Sequence, residues 1–307
     1  MIMKTLLAGL GYALTLLASH AWAAPLPMNK IADGVYVHIG THGDFDENYH
    51  GDMANIGFIV GTSSVAVVDT GGSFKVGMQL REAVKVVTNL PIKYVINTHI
   101  HPDHIFGNAA FKKDKPEFIG HHNLPGTLSA NHESLMKSLK QVLGADAAGS
   151  EIILPSKVVK DVLDIDLGGR TLHLQAWPKS HTSTDLTVLD NKSQTFWTGD
   201  LLFITKTPSL DGDLKGWISV NDDLKKVPAK LTVPGHGDVT DNKNAMLDKQ
   251  GAYLNLLLKD IREAIKGGVD LPKTIDTAAQ AEKPNWVFFD LINRRNVNQA
   301  YPQLEWE

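Results

Sequence analysis

The sequence predicts an α/β fold built on two sheets, and three observations carry that prediction. Strand-length apolar runs flank a segment of helical spacing in the first third of the chain, the pattern of a strand-helix-strand unit. Between residues 152 and 197, short strand-like runs follow one another across Gly and Asn-Lys turns, which implies a second sheet. A length of 307 residues with 43% hydrophobic content can bury one large core.

Residues 1–23 carry one positive charge, Lys4, an apolar stretch from Leu6 to Leu17 broken by Gly9, Gly11 and Thr15, and Ala21-Trp22-Ala23 in the small-x-small pattern of a cleavage site. A membrane anchor needs about 20 continuous apolar residues. The stretch therefore predicts a cleavable signal peptide, no stable membrane anchor, and a periplasmic or secreted protein. Cysteine is absent, so stability has to come from the core and from any bound metal. The formal net charge of -4 offers no basic field to nucleic acid, which is excluded as a partner class.

Residues 34–39 alternate like a strand, and the polar segment 40–55 reads as a loop bordering the site. Residues 56–61 and 64–69 form a hairpin ending in Asp69-Thr70-Gly71-Gly72; Asp69 is either a turn residue or a carboxylate that accepts the free N–H of a metal-bound histidine. Residues 76–90 have helical spacing and lead into a buried strand, Tyr94-Val95-Ile96, ending at Asn97. A short helix at 108–111 and a strand at 117–119 follow, with His121 and His122 in the next loop in a lining or structural role. Residues 131–143 read as an exposed amphipathic helix. The second sheet is expected from runs at 152–154, 158–162, 164–167, 172–176, 186–189 and 196–197, with His173 packed inside one of them. Trp217 reads as a packed ring rather than a substrate rim. A helix runs from Met246 past Ile265 to Gly267-Gly268, and another covers 285–299. The expected division is a signal peptide at 1–23, a main domain at 24–243, and a helical extension at 244–307 packed on that domain.

The chemistry concentrates in Thr98-His99-Ile100-His101-Pro102-Asp103-His104. Side chains two apart on a strand share a face, so His99 and His101 point together, while Pro102 turns the chain and frees Asp103 and His104 for a second divalent ion. His181, Asp200 and His236 each close an apolar or β-rich run, where a rigid sheet can deliver them to one site.

Taken together, these residues resemble the metallo-β-lactamase fold superfamily, with its His-x-His-x-Asp-His signature at His99, His101, Asp103 and His104, followed in order by His181, Asp200 and His236. The resemblance implies an αβ/βα four-layer sandwich with two Zn(2+) ions at one edge, other divalent metals such as Fe or Mn being alternatives. One zinc would be held by His99, His101 and His181, the second by Asp103, His104 and His236, with Asp200 bridging. Phe196 to Phe203, running through Thr198-Gly199-Asp200, resembles the glyoxalase II type of site. Zinc β-lactamases commonly have Cys or Ser there, and diiron flavoprotein oxidases have Glu where His101 stands. The segments 210–217, 294–297 and 304–307 resemble the exported quinoprotein relay system zinc metallohydrolases, related to the SoxH proteins. The implied activity is zinc-dependent hydrolysis of an ester, thioester or lactone-like acyl bond in a small-molecule substrate, by a metal-bridging hydroxide, with Asp103 catalytic. Alternatives are a metal-dependent accessory protein of a periplasmic quinoprotein system, an iron-dependent sulfur dioxygenase, and a β-lactamase.

Overall fold

The computed structural model describes residues 23–41, 43 and 49–307, so the expected signal peptide lies almost wholly outside the described residues. The first sheet has seven strands in chain order: β1 (Asn29–Ala32), β2 (Val35–His38), β3 (Ile56–Val60), β4 (Val65–Val68), β5 (Ile92–Ile96), β6 (Glu117–His121) and β7 (Lys157–Val159). Pairing is antiparallel from β1 to β4 and parallel from β4 to β7. The second sheet holds β8 (Val162–Asp166), β9 (Thr171–Ala176), β10 (Leu186–Asp190), β11 (Thr195–Phe203) and β12 (Leu231–His236); β12 pairs parallel with β11 and the other neighbours are antiparallel.

Strand alternation explains why these sheets stack. In β4, Ala66 and Val68 point into a core shared with Leu172, Leu174, Leu186, Val188 and Trp197 of the second sheet. Val65 and Val67 point the other way, onto Val76, Leu80 and Val84 of α1 (Phe74–Val87). Serine at position 73 starts that helix by accepting the Val76 N–H on its hydroxyl. Further helices are α2 (Pro102–Ile105), α3 (Leu124–Ala130), α4 (His132–Leu143), α5 (Leu214–Leu224), α6 (Lys243–Lys266), α7 (Leu271–Thr277) and α8 (Phe289–Leu304). The outer face of the second sheet, through Phe196 and Leu202, packs on Trp217, Leu224, Leu254, Leu257 and Val297 of α5, α6 and α8. The order is helix, sheet, sheet, helix, the expected four-layer sandwich, with α6 to α8 as its C-terminal helical region. Among the described residues no helix is long and apolar enough to cross a membrane.

Several local expectations change. Residues 152–154 are not a strand, and the run expected at 158–162 is split by a turn, so that β7 ends one sheet and β8 opens the other. One polar Lys160-Asp161 step lets a single β-rich run serve both layers. The helix expected at 285–299 starts at Phe289, because residues 280–285 form a 3₁₀ turn containing Pro284. His173 is not packed: it lies on the half-exposed face of β9 and pairs with Asp164 at 2.7 Å. Trp217 is fully buried and donates its indole N–H to the Leu201 carbonyl at 3.2 Å, which removes the rim alternative. Helix α5 itself had no counterpart among the expected elements.

Candidate metal centre

Every residue singled out as a ligand lies at one end of the sandwich, yet the local reasons differ from those read in the sequence. Strand β5 stops at Ile96, so His99 and His101 project from an irregular loop rather than from one face of a strand. Pro102 occupies the first turn of α2, where its missing N–H is harmless, and the same turn carries Asp103 and His104. His181 stands in the loop between β9 and β10, and His236 is the last residue of β12. Asp200 lies inside β11, where the register with β12 is interrupted between Gly199 and Phe203. That interruption needs glycine on both strands. Gly199 has φ +50°, and a Cβ on Gly235 would overlap Asp200 Oδ1.

The side chains fall into two groups that could each hold a cation: His99, His101, His181 and Asp200, and Asp103, His104 and His236. Within each group the ligand-capable atoms lie within 4.8 Å of one another. Asp200 stands between the two. Its Oδ2 is 3.4 Å from His181 Nε2 and 3.3 Å from His236 Nε2, while its Oδ1 is 3.2 Å from His104 Nε2. Asp103 Oδ2 reaches 3.3 Å from His236 Nε2.

Each imidazole is oriented from behind. His104 Nδ1–H donates to Asp69 Oδ2 at 2.8 Å, His236 Nδ1–H to the Met53 carbonyl at 3.2 Å, and His181 Nδ1–H to the Ser209 carbonyl at 2.5 Å. His101 Nε2–H donates to Asp211 Oδ2 at 2.6 Å, and His99 Nδ1–H to Thr98 Oγ1 at 3.0 Å. These bonds leave an unprotonated nitrogen of each neutral ring facing inward. His101 Nδ1 and His181 Nε2 then meet at 3.0 Å with a lone pair on each, a repulsive contact that a shared cation would turn into two coordinate bonds. His99 Nε2, His104 Nε2 and Asp200 Oδ1 are buried without a hydrogen-bond partner among the described residues. The donor set of imidazoles and carboxylates fits divalent ions of borderline softness.

The carboxylates and imidazoles shift one another. Against burial, Asp211 raises the pKa of His101, and Asp200 and Asp103 raise His104 well above its usual value and also raise His236, so a metal would displace a proton from these three rings. Burial resists charge on Asp200, but His236, His104 and His99 outweigh it and hold the carboxyl well below its usual range. Burial also resists charge on Asp103, and His104 and His236 again win and keep it ionised. Burial holds the His181 imidazole down at about 4, in the neutral form a metal requires. At Asp211 the hydrogen bond from His101 holds the carboxyl down at about 2.

The group opens into a cleft of about 500 Å³ lined by Met53, Leu139, Val142, Phe203, Lys206 and Ile292, among others. Helix α4 was read as exposed; Ser138, Leu139, Val142 and Leu143 on it line this cleft. Asp69 takes the orienting role rather than a turn role alone: its left-handed backbone, φ +54°, folds the carboxylate back onto Thr98 and His104. His121 stays out of both groups and bonds the Trp177 carbonyl at 3.1 Å. Sequence reasoning missed the carbonyls of Met53 and Ser209, which no side-chain pattern reveals, and the partnership of Asp211 with His101.

Among solved structures, the chain resembles a metallo-beta-lactamase from Pontibacter korlensis at 20% identity and TM-score 0.59, over 75% of this chain and 99% of that one. VMB-1 at pH 5.5 matches at 20% identity and TM-score 0.60 (75% and 97%), and DIM-1 metallo-beta-lactamase exposed to ceftazidime at 15% and 0.60 (76% and 98%). At such identities the likeness carries the fold. A curated relative, the Beta-lactamase-like protein 2 homolog of Caenorhabditis elegans, is 24% identical over 242 residues, 78% of this chain and 72% of the relative. The family model described as Metallo-beta-lactamase superfamily matches residues 50–236, more than half of the chain and a span that includes all seven converging side chains. The chain belongs to the metallo-beta-lactamase superfamily.

Proposed function

We propose that the protein is an exported binuclear zinc hydrolase acting on an ester, thioester or lactone-like acyl bond. The observation that carries this reading is the convergence of seven buried or half-buried His and Asp side chains, with lone pairs turned toward one another, at the floor of an open cleft. Two divalent ions, when bound, supply polarisation of the acyl carbonyl and a lowered pKa for water. The chain supplies the rest. Asp103 lines the cleft as a carboxylate and takes the proton of the attacking water, then passes it to the departing alkoxide or thiolate as the acyl C–O or C–S bond breaks. Lys206 brings an ammonium to the cleft wall, its Nζ held, among the described residues, by the Gly43 carbonyl and Met53 Sδ. It is placed to receive an anionic group of the substrate. The apolar stretch of Leu139, Val142, Leu143 and Ile292 suits the body of an organic acyl compound.

The test is elemental mass spectrometry of the protein purified from an exporting host, together with hydrolysis of thioesters, aryl esters, lactones and a chromogenic β-lactam. Two zinc ions and chelator-sensitive turnover of the acyl substrates are expected. Full loading with no turnover of any panel member would defeat the hydrolase reading.

A further inference from the structure

The loop between Phe203 and α5 supplies three parts of the site: Lys206 in the cleft wall, the Ser209 carbonyl behind His181, and the Asp211 carboxylate behind His101. Part of what holds this loop lies beyond residues 50–236, the span that the family model matches. Asn296, fully buried on α8, donates from Nδ2 to the Pro208 carbonyl at 2.7 Å and accepts the Leu210 N–H on Oδ1 at 2.9 Å, gripping the backbone on both sides of Ser209. One and two turns further along the same face, Gln299 donates to the Asp211 carbonyl at 3.0 Å and Gln303 to the Gly212 carbonyl at 3.2 Å. Upstream of α8, Val287 pairs with the same loop, its N–H on the Thr205 carbonyl at 2.9 Å and its carbonyl accepting the Thr207 N–H at 3.1 Å. Thr205 and Phe288 beside this pairing both hold left-handed backbone, φ +74° and +58°, costly for side chains of that bulk and kept only where surrounding contacts enforce it.

From the other side, the loop lies directly on the segment carrying His181. The Asp211 N–H donates to the His181 carbonyl at 3.0 Å and the Asp213 N–H to the Ser180 carbonyl at 2.8 Å. A Cβ on Gly212 would overlap the Ser180 carbonyl, so the two loops touch at backbone distance.

We infer that α8 is a positioning element of the metal centre, acting chiefly through Asn296, and that it serves one of the two cation groups selectively. The part of the loop that Asn296 brackets orients His181 and His101, both in the group with His99. His104 and His236 are oriented by Asp69 and the Met53 carbonyl, to which α8 makes no hydrogen bond among the described residues. The loop reaches that second group only at its start, through the Ile204 N–H on the His236 carbonyl and Lys206 Nζ on Met53 Sδ. Asn296 is thus a positioning residue for one ion. The inference rests on the proposed metal binding and adds to it an asymmetry between the ions.

The experiment is zinc titration of the full chain against a chromophoric chelator, with thermal unfolding of the metal-free protein alongside. Wild type is expected to bind two zinc ions. Asn296→Leu is expected to weaken one of them about 10- to 100-fold, the usual cost of losing support behind a ligand, and to leave the other within about 2-fold. In a His181→Ala background, Asn296→Leu should have no further effect on the remaining ion. Tyr253→Phe, which removes a hydroxyl bonded to Asn296 but not to the loop, should lower the melting temperature with both affinities unchanged. Asn296→Leu with both affinities unchanged, or both equally reduced, overturns the inference. If that variant does not fold, the double variant Gln299→Ala with Gln303→Ala decides, with a selective loss of about 3- to 10-fold expected. Wild type that takes up no zinc would instead defeat the underlying metal reading.

Discussion

Asp69 Oδ2 lies 2.8 Å from His104 Nδ1 and accepts its proton, and the same oxygen takes the Thr98 hydroxyl at 2.7 Å. Through Thr98 Oγ1, 3.0 Å from His99 Nδ1, one carboxylate at the end of β4 fixes a histidine in each cation group. This is a shared support, in contrast to the selective one that α8 provides.

Replacing Asp69 should therefore weaken both ions. Asp69→Asn keeps the shape but presents an amide that cannot accept every donor the carboxylate accepts, including the Thr98 N–H at 2.8 Å. Losses of about 10- to 100-fold in affinity are expected for both zinc ions, read by the same chelator competition. A change confined to one ion would contradict the shared role.

Asp103→Asn removes the carboxylate that moves the proton while keeping its volume. Turnover should fall by about 10²- to 10⁴-fold, with the melting temperature of the metal-loaded protein within a few degrees of wild type. The measurement is kcat on the preferred acyl substrate after zinc content has been checked. A fully loaded variant with unchanged kcat would remove Asp103 from proton transfer.

Lys206→Met keeps the aliphatic stem and deletes the charge. For an acyl substrate bearing a carboxylate, KM should rise about 10- to 100-fold, the range for losing a charge-assisted hydrogen bond of about 1.5–3 kcal/mol, while kcat changes little. A neutral ester of the same acyl group should show no such rise, and equal effects on both substrates would rule out anion recognition.

His121 supplies a pH-dependent contribution to stability. Its Nε2–H donates to the Trp177 carbonyl at 3.1 Å and its Nδ1 accepts the Asn123 N–H at 3.0 Å, so a second ring proton would face an N–H. Burial, reinforced by His122, lowers its pKa to about 4. The folded state therefore binds fewer protons than the unfolded state between about pH 4 and 6.5, and stability rises with pH across that window and is lost as pH falls. Urea unfolding should show His121→Gln losing about 1–2 kcal/mol less than wild type between pH 7 and pH 5, the span of the window that the shift covers. An identical loss in both proteins would contradict this.

The His99 to His104 stretch, followed in order by His181, Asp200 and His236, identified the fold and its candidate ligands because ligand chemistry needs particular residue types. The expected place at a strand end holds for His236, whereas Asp200 lies inside β11 and His181 in a loop. The unbroken apolar run of Val65 to Val68 likewise announced the second strand of a hairpin, and the fold buries it on both faces. Asp69 was legible only as one of two possibilities, since the same residue suits a turn and a support; its positive φ serves both.

Other features were decided by the tertiary structure, and the reason is physical. Backbone carbonyls such as those of Met53 and Ser209 are present at every position, so nothing in a side-chain pattern distinguishes the two that orient His236 and His181. Helical spacing shows that 132–143 has an apolar face but not what covers it; only the folded chain shows Leu139, Val142 and Leu143 lining the cleft. Asn296 reads in isolation as an ordinary polar residue of a tail helix. Its grip on Pro208 and Leu210 joins positions 86 and 88 residues apart, and bonds at that separation are set by how the layers stack. By itself the sequence determined which residues are candidate metal ligands, whereas the tertiary structure decided which of their atoms face one another, and the packing of α8 and α4 decided part of what holds those residues in place and shapes the cleft above them.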